Sequence, residues 1–291
     1  MIPLLGTGFT SMVGSRFIEL YPEFTVENLD LTTGIDITNS DIVAQKISQS
    51  SAAALIHFAA FTDVDAANAQ SGDKDGPCHR VNVLGTKSVT KACAATNKYL
   101  IHISTDFVFD GKNPPLGGYT ETDTPHPIEW YGQTKLWAEE EVHTSGAKYV
   151  IARITYPYRA NFPAKLDLVR KIIAKLEDGT LPPMFTDHTL TPTFIDDIAV
   201  VLKTFLEKQP TGIYHVVGSS HVSDYDIAIA AAEVFGLDKS QVRQGSLEAF
   251  LKTANRPYQK NMSTSNAKLK TDCNIPMSTL QAGLEKMKKQ M

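Results

Sequence analysis

One feature constrains this chain more than any other: its opening. A short apolar run, Ile2–Leu5, breaks into a glycine-containing turn and resumes as helically spaced apolar positions from Met12 to Leu20. The same rhythm then recurs. Phe24–Leu29 reads as a second strand ending at Asp30, and Ile42–Ile47 as a helix. Ala53–Phe58 has the unbroken apolar run of a strand buried on both faces. His79–Thr96 is a long helical pattern, Tyr99–Ser104 a strand, Tyr131–Val142 a helix and Tyr149–Thr155 another strand. Strands alternating with helices at this spacing imply an α/β fold with a parallel sheet covered on both faces. Right-handed crossovers make that sheet doubly wound. Pro3 is tolerable only at the start of its strand, where no ladder donor is needed.

Beyond about residue 156 the rhythm changes. Pro157, Pro163, Pro182, Pro183 and Pro192 cut the chain into shorter pieces. Leu166–Leu176, Ile195–Leu206, Ser223–Phe235 and Ser278–Lys288 read as helices. The expected organisation is a nucleotide-binding domain over residues 1–155, then a smaller, mostly α part over 156–291. No clean linker separates them, and some exchange of segments is expected.

Composition narrows the function classes. Of 291 residues, 42% are apolar and 21% charged, enough to bury a sizeable core. The 28 basic and 32 acidic residues give a net charge of −4, which argues against a nucleic-acid binder, whose affinity rests on neutralising phosphates. Cys78, Cys93 and Cys273 are scattered and odd in number, so neither a disulfide framework nor a CxxC metal pair is expected. The eight histidines show no HExxH or paired ligand spacing, so no metal is expected. The most apolar stretch, Ala52–Phe61, contains His57 and is about half the length of a membrane span. With no signal-peptide pattern at the start, a cytoplasmic protein is expected.

The glycine turn, Gly6-Thr7-Gly8-Phe9-Thr10-Ser11-Met12-Val13-Gly14, supports two frames. GxGxxG uses Gly6, Gly8 and Ser11; GxxGxxG uses Gly8, Ser11 and Gly14. Each lacks one glycine. Such a turn lets backbone approach a pyrophosphate that sits on the helix N-terminus. Gly8, Ser11, Met12 and Val13 are therefore candidate cofactor contacts. Asp30 lies where a carboxylate can accept hydrogen bonds from an adenosine ribose; its plainer reading is a strand-end turn residue.

The densest chemistry is Tyr131-Gly-Gln-Thr-Lys135. Positions i and i+4 share a helix face, and an ammonium beside a phenol favours the phenolate. A Tyr so tuned exchanges a proton with a carbonyl or alcohol near neutral pH. Upstream, Ser104 and Thr105 end a buried strand, where open α/β sheets bind ligands. Thr105 is placed to hydrogen-bond the same oxygen.

The glycine turn, strand-end Thr and YxxxK, in that order, resemble the signature of the short-chain dehydrogenase/reductase superfamily. The late position of Tyr131 resembles the superfamily's extended branch. Five stretches narrow the resemblance. His57–Asp65 is similar to a family "NAAAYTAVD" segment, Ser104–Gly111 to "STDYVFDG" and Tyr119–Pro127 to "YxExDxPxP". Pro192–Ala199 is similar to "PTYxxDLA", and Ala254–Pro257 to "xxRP". Together they resemble the dTDP-4-dehydrorhamnose reductase family over nearly the whole chain.

The resemblance implies a Rossmann-type fold with a C-terminal substrate-binding part, and NADPH or NADH as cofactor. It implies reduction of the C4 keto group of a nucleotide-linked 4-keto-6-deoxy sugar, as in dTDP-L-rhamnose biosynthesis, by a monomer or homodimer. Tyr131 is then the general acid. Lys135 holds the nicotinamide ribose, and Thr105 binds the C4 oxygen. Asp106 meets another sugar hydroxyl, and Asp36 and Ile37 flank the adenine. Ala59, Ala60 and Thr62 line the dinucleotide, and Arg256 meets the diphosphate or sugar. Tyr156 stands at a sugar-contacting family Trp, Ser11 at a family glycine and His57 at a family Asn, while Trp130 is bulkier than usual. These departures bear on substrate choice. Phe107 replaces the acid of a dehydratase "TDE" pattern, which counts against elimination chemistry. A 4-epimerase, and a non-catalytic regulator resembling the β subunit of methionine adenosyltransferase, are the alternatives.

Overall fold

A computed structural model describes all residues, Met1–Met291. Contacts divide the chain into two compact units, each assembled from three segments. The first comprises Met1–Val108, Pro125–Arg153 and Ala199–Tyr214. The second comprises Phe109–Thr124, Ile154–Ile198 and His215–Met291. The chain passes from the first unit to the second after Arg153, near the expected boundary, while Phe109–Thr124 belongs to the second unit and Ala199–Tyr214 to the first.

The sheet of the first unit has six strands: β1 Ile2–Thr7, β2 Phe24–Asn28, β3 Ala54–His57, β4 Tyr99–Thr105, β5 Tyr149–Ile154 and β6 Gly212–His215. Their order is β6-β5-β4-β3-β1-β2. β1 pairs parallel with β2 (Leu4 opposite Val26) and with β3 (Gly6 opposite Ile56), and β3 pairs parallel with β4 (His57 opposite His102). From β1 the chain builds β2 on one side and β3 on the other. The reversal between β1 and β3 opens a crevice at the strands' carboxyl ends, where ligands bind in such sheets. Pro3 is the second residue of β1, not its first. It is tolerated because pairing with β3 begins only at Leu5.

Four helices of this unit bear on the site: α1 Met12–Leu20, α2 Ser40–Gln49, α3 Thr86–Ala95 and α4 Trp130–Thr144. Leu5, Val43, Ile47, Leu55, Val89, Leu100 and Ile151 form one buried cluster beneath α2 and α3. The long helical pattern expected over His79–Thr96 is interrupted. A π-helical stretch, Arg80–Gly85, separates α3 from a short turn at Pro77–His79. Such bulges often mark functional places.

The second unit is mixed. Its helices include α5 Leu168–Glu177, α6 Ile195–Lys208 (up to Ile198), α7 Asp224–Phe235 and α8 Leu280–Lys288. α7 packs against both α5 and α8. On α5 the buried positions Val169, Ile172, Ile173 and Leu176 follow the helical period. Three two-stranded pieces accompany them: Pro157–Tyr158 with Thr193–Phe194, Met184–Phe185 with Gln244–Gly245, and Thr189–Leu190 with Val222–Ser223. No helix of the chain is long and apolar enough to cross a membrane.

Candidate active site

The first component is the turn between β1 and α1. Gly6 belongs to the strand, so the turn glycine is Gly8 and the frame is Gly8, Ser11, Gly14. Gly8 has φ +68°, and a Cβ there would lie 2.7 Å from the Ala59 backbone nitrogen. The turn thus presses on the loop that follows β3, and only glycine combines that φ with that approach. Ser11 is the N-cap of α1: its Oγ accepts the Gly14 N–H at 3.2 Å. No acidic residue occupies the first turn of α1, so nothing within the helix offsets its positive end, which suits an anion. The turn therefore fits a dinucleotide pyrophosphate.

Asp30 caps a short 3₁₀ turn, Leu31–Thr33. Oδ1 accepts from the Thr32 amide and hydroxyl, and Oδ2 accepts from Thr10 Oγ1 and Asn28 Nδ2. Burial alone would raise its pKa, but these hydrogen bonds outweigh it and hold the carboxyl lowered. The structure therefore displays the turn-residue reading of Asp30; a ribose contact requires one of the four bonds to yield. Asp36 is exposed and accepts from the amide and hydroxyl of Thr38. Ile37 is buried within the core cluster. Beyond β3, Ala59 and Ala60 are half-buried and Thr62 is exposed.

The second component stands at the end of β4. Thr105 is buried, accepts the Phe107 N–H at 3.2 Å and donates to Asp106 Oδ1 at 3.2 Å. Its hydroxyl also bears on the Tyr131 phenol, whose ionised form it favours. Glu129 caps α4, and its carboxylate accepts the Tyr131 and Gly132 N–H groups at 2.9 and 2.7 Å. A Cβ on Gly132 would lie 2.2 Å from the Phe107 carbonyl, so glycine permits this approach. The Phe107 ring meets Tyr131 edge-on at 5.7 Å.

One turn along α4, Lys135 is buried. Its Nζ donates to the Ile103 carbonyl at 2.8 Å and lies 3.4 Å from His102 Nε2. Burial lowers Lys135 to about 8, partly offset by Glu139. The expectation that Lys135 lowers the Tyr131 pKa is not met. Burial pushes the phenol well above its usual value, reinforced by Glu129 and Asp106, while the Thr105 hydroxyl works the other way.

Sequence reasoning missed the supports. Glu139, four residues after Lys135, accepts Ser104 Oγ at 2.5 Å and a two-point contact from Arg153 at 2.9 and 2.6 Å, all buried. Asn82, inside the π-helical stretch, grips Phe61 from both sides: Oδ1 accepts its N–H at 2.7 Å and Nδ2 donates to its carbonyl at 3.1 Å. The same Nδ2 reaches Thr134 on α4. The spacing gave no sign of the π-helical stretch, since His79–Thr96 reads as one helical pattern. Trp130 packs with Ala67 and Cys78. Tyr156 and Arg256 belong to the second unit. Tyr156 has φ +37°, unusual for a side chain of its size. The Arg256 guanidinium stacks on Tyr258 at 3.7 Å.

A doubly wound sheet with a glycine turn at its switch point and a Thr, Tyr and Lys set beside it defines a Rossmann-type short-chain dehydrogenase/reductase. Within that class the chain belongs to the dTDP-4-dehydrorhamnose reductase family: the family model "RmlD substrate binding domain" matches residues 2–291. A dTDP-4-dehydrorhamnose reductase of Aggregatibacter actinomycetemcomitans is 33% identical over 242 residues, 79% of this chain and 78% of that one. The methionine adenosyltransferase 2 subunit beta of Mus musculus is 29% identical over 270 residues, 82% of this chain and 74% of that one. Among solved structures, a dTDP-4-dehydrorhamnose reductase of Bacillus anthracis, in complex with NADP, superimposes with a TM-score of 0.90 at 26% identity, covering both chains fully.

Proposed function

We propose that this protein is an NAD(P)H-dependent reductase of the C4 keto group of a nucleotide-linked 4-keto-6-deoxy sugar, acting as in dTDP-L-rhamnose formation. The observation that carries this reading is the placing of buried Thr105 at the carboxyl end of β4, with Phe107 bonded to its hydroxyl and edge-on to Tyr131 at the start of α4, and Lys135 one turn beyond. Gly8, Ser11, Met12 and Val13 would hold the pyrophosphate. Asp30, Asp36, Ile37, Ala59, Ala60 and Thr62 would line the adenosine half, and Tyr131 and Lys135 the nicotinamide ribose. The bound dinucleotide supplies the hydride.

The protein's own residues supply the rest. A phenol whose pKa is raised stays protonated throughout the neutral range, the state a proton donor to a ketone needs. Tyr131 gives that proton to the C4 oxygen, and Thr105, whose hydroxyl donates to Asp106 Oδ1 in the free protein, turns to donate to the charge developing there. Asp106 orients a neighbouring hydroxyl, and Tyr156 and Arg256 read the sugar and diphosphate; a guanidinium fork matches phosphate oxygens. Phe107 offers no acid for an elimination.

The decisive assay is NAD(P)H oxidation against a panel of nucleotide 4-keto sugars. Oxidation with at least one of them is expected; interconversion of 4-epimers without net oxidation would make the protein an epimerase instead. The similarity to a methionine adenosyltransferase β subunit supports a second reading, a dinucleotide-binding regulator. A stoichiometric partner in a pull-down, with no turnover on any keto sugar, would establish it.

A further inference from the structure

Two buried imidazoles stand side by side beneath the site. His57 on β3 and His102 on β4 are register partners, and their ring centroids are 5.2 Å apart. Both are 1% exposed. The bonds around His57 fix its tautomer. Thr86 Oγ1 donates to the Asn82 carbonyl at 2.6 Å, so it accepts from His57 Nε2–H at 3.0 Å. Nδ1 is then the acceptor and takes the Thr7 hydroxyl at 2.6 Å, while Thr7 Oγ1 accepts the Ala59 N–H at 3.2 Å. The bonds run in one direction from the cofactor loop, through a neutral ring, to the π-helical stretch.

His102 has the opposite polarity. Its Nε2 faces the Lys135 ammonium, which has only protons to offer while charged. Nε2 must therefore be the bare nitrogen and Nδ1 the protonated one, although Nδ1 has no partner. An imidazole with free choice of tautomer would place its proton where an acceptor waits; here the lysine dictates the placement. An ammonium carries three donors. The Ile103 carbonyl and His102 Nε2 take two, leaving one N–H of Lys135 without a protein partner.

We propose that His102 is a positioning residue for Lys135: its bare Nε2, 3.4 Å from Nζ, fixes the ammonium so that the remaining N–H is presented to the bound ligand. This rests on the reading of Lys135 as the ribose-holding residue. The groups facing Lys135 are Glu139 on its own helix, Cys78 at the turn before the π-helical stretch, and His102 and His57 from the sheet. Burial and the Lys135 charge both keep the two imidazoles neutral. They offer acceptors without introducing a competing positive charge.

Two measurements test this. In the wild-type protein at pH 6, nitrogen-15 NMR of the histidine rings should show His102 neutral and protonated on Nδ1. A ring protonated on Nε2, or on both nitrogens, overturns the proposal, and this needs no variant to fold. The second is the pH profile of kcat/KM. Removing the acceptor with His102→Phe should move the alkaline limb down by about one pH unit, a loss of about tenfold on that limb. His102→Gln, which keeps an acceptor, should restore most of it. An unmoved limb in His102→Phe overturns the role of His102 if Lys135→Met still abolishes dinucleotide binding. If Lys135→Met binds dinucleotide normally, it is the reading of Lys135 that fails.

Discussion

At the residue scale, the site pairs a phenol that burial keeps protonated with a lysine that burial brings close to losing its proton. Tyr131→Phe should leave dinucleotide affinity, read by fluorescence titration, nearly unchanged. Turnover should fall by on the order of 10²–10⁴, the usual worth of a positioned acid. Full activity in that variant would refute the assignment. Thr105→Val removes one donor to the developing oxyanion and should cost less than the tyrosine substitution. His57 makes a separate prediction about stability. Its pKa, about 3 when folded, lies below the usual value because burial and Lys135 disfavour the imidazolium. Above pH 6.5 the ring is neutral in both states and stability is unaffected. As pH falls from 6.5 toward 3 only the unfolded chain takes up the proton, so stability drops. The slope is up to about 1.4 kcal/mol per pH unit. His102 acts with the same sign. Urea midpoints measured from pH 7 to pH 5 should fall, and His57→Asn should flatten the fall. A pH-independent midpoint in the wild type would contradict this account of the buried pair.

At the element scale, each catalytic side chain is placed by something other than itself. The β1–α1 turn depends on Gly8, α4 on the Glu129 cap, and the cofactor loop on Asn82. Asn82 is the most exposed to test. Asn82→Ala leaves the Phe61 N–H and carbonyl without their partners, and a buried unsatisfied group costs about 1–3 kcal/mol. The variant should melt earlier and bind dinucleotide more weakly, since Ala59–Thr62 adjoins the released residue. Loss of stability with unchanged dinucleotide affinity would show that the π-helical stretch does not set the loop. Ser11 should behave mildly. Its hydroxyl caps α1, so replacement by glycine should cost only a few tenths of a kcal/mol.

At the scale of the whole molecule, what could be read from the sequence was whatever rests on local periodicity. Apart from β6, the strands of the sheet, and the helices α1 to α4, follow from apolar spacing and turn residues. So does the placing of Gly8, Thr105, Tyr131 and Lys135 at strand ends and helix starts. Strand β6 escaped because Gly212–His215 is short, opens on glycine and comes from the half whose rhythm is broken by prolines. The filled acceptors of Asp30, the His57 chain and the Glu139–Arg153 pair escaped because each joins residues by tertiary contact, which spacing cannot encode. The direction of the Tyr131 shift escaped for a related reason. A neighbouring lysine is visible in a helical repeat, while depth of burial is not. The division into units yields a last prediction. Every residue assigned here to the dinucleotide lies in the first unit, whereas Tyr156 and Arg256 lie in the second. Binding to the folded chain alone stabilises it by RT ln(1 + [L]/Kd), about 2.7 kcal/mol at a hundredfold excess over Kd. Hydrogen exchange reports where such stabilisation is local. Dinucleotide alone should slow exchange in the Gly8–Val13 turn and in residues 57–62, and leave residues 254–258 unchanged. Adding a nucleotide sugar should extend protection to 254–258 and to the backbone at Tyr156. Protection of 254–258 by dinucleotide alone would assign Arg256 to the cofactor. No protection there by any nucleotide sugar would remove Arg256 from substrate recognition.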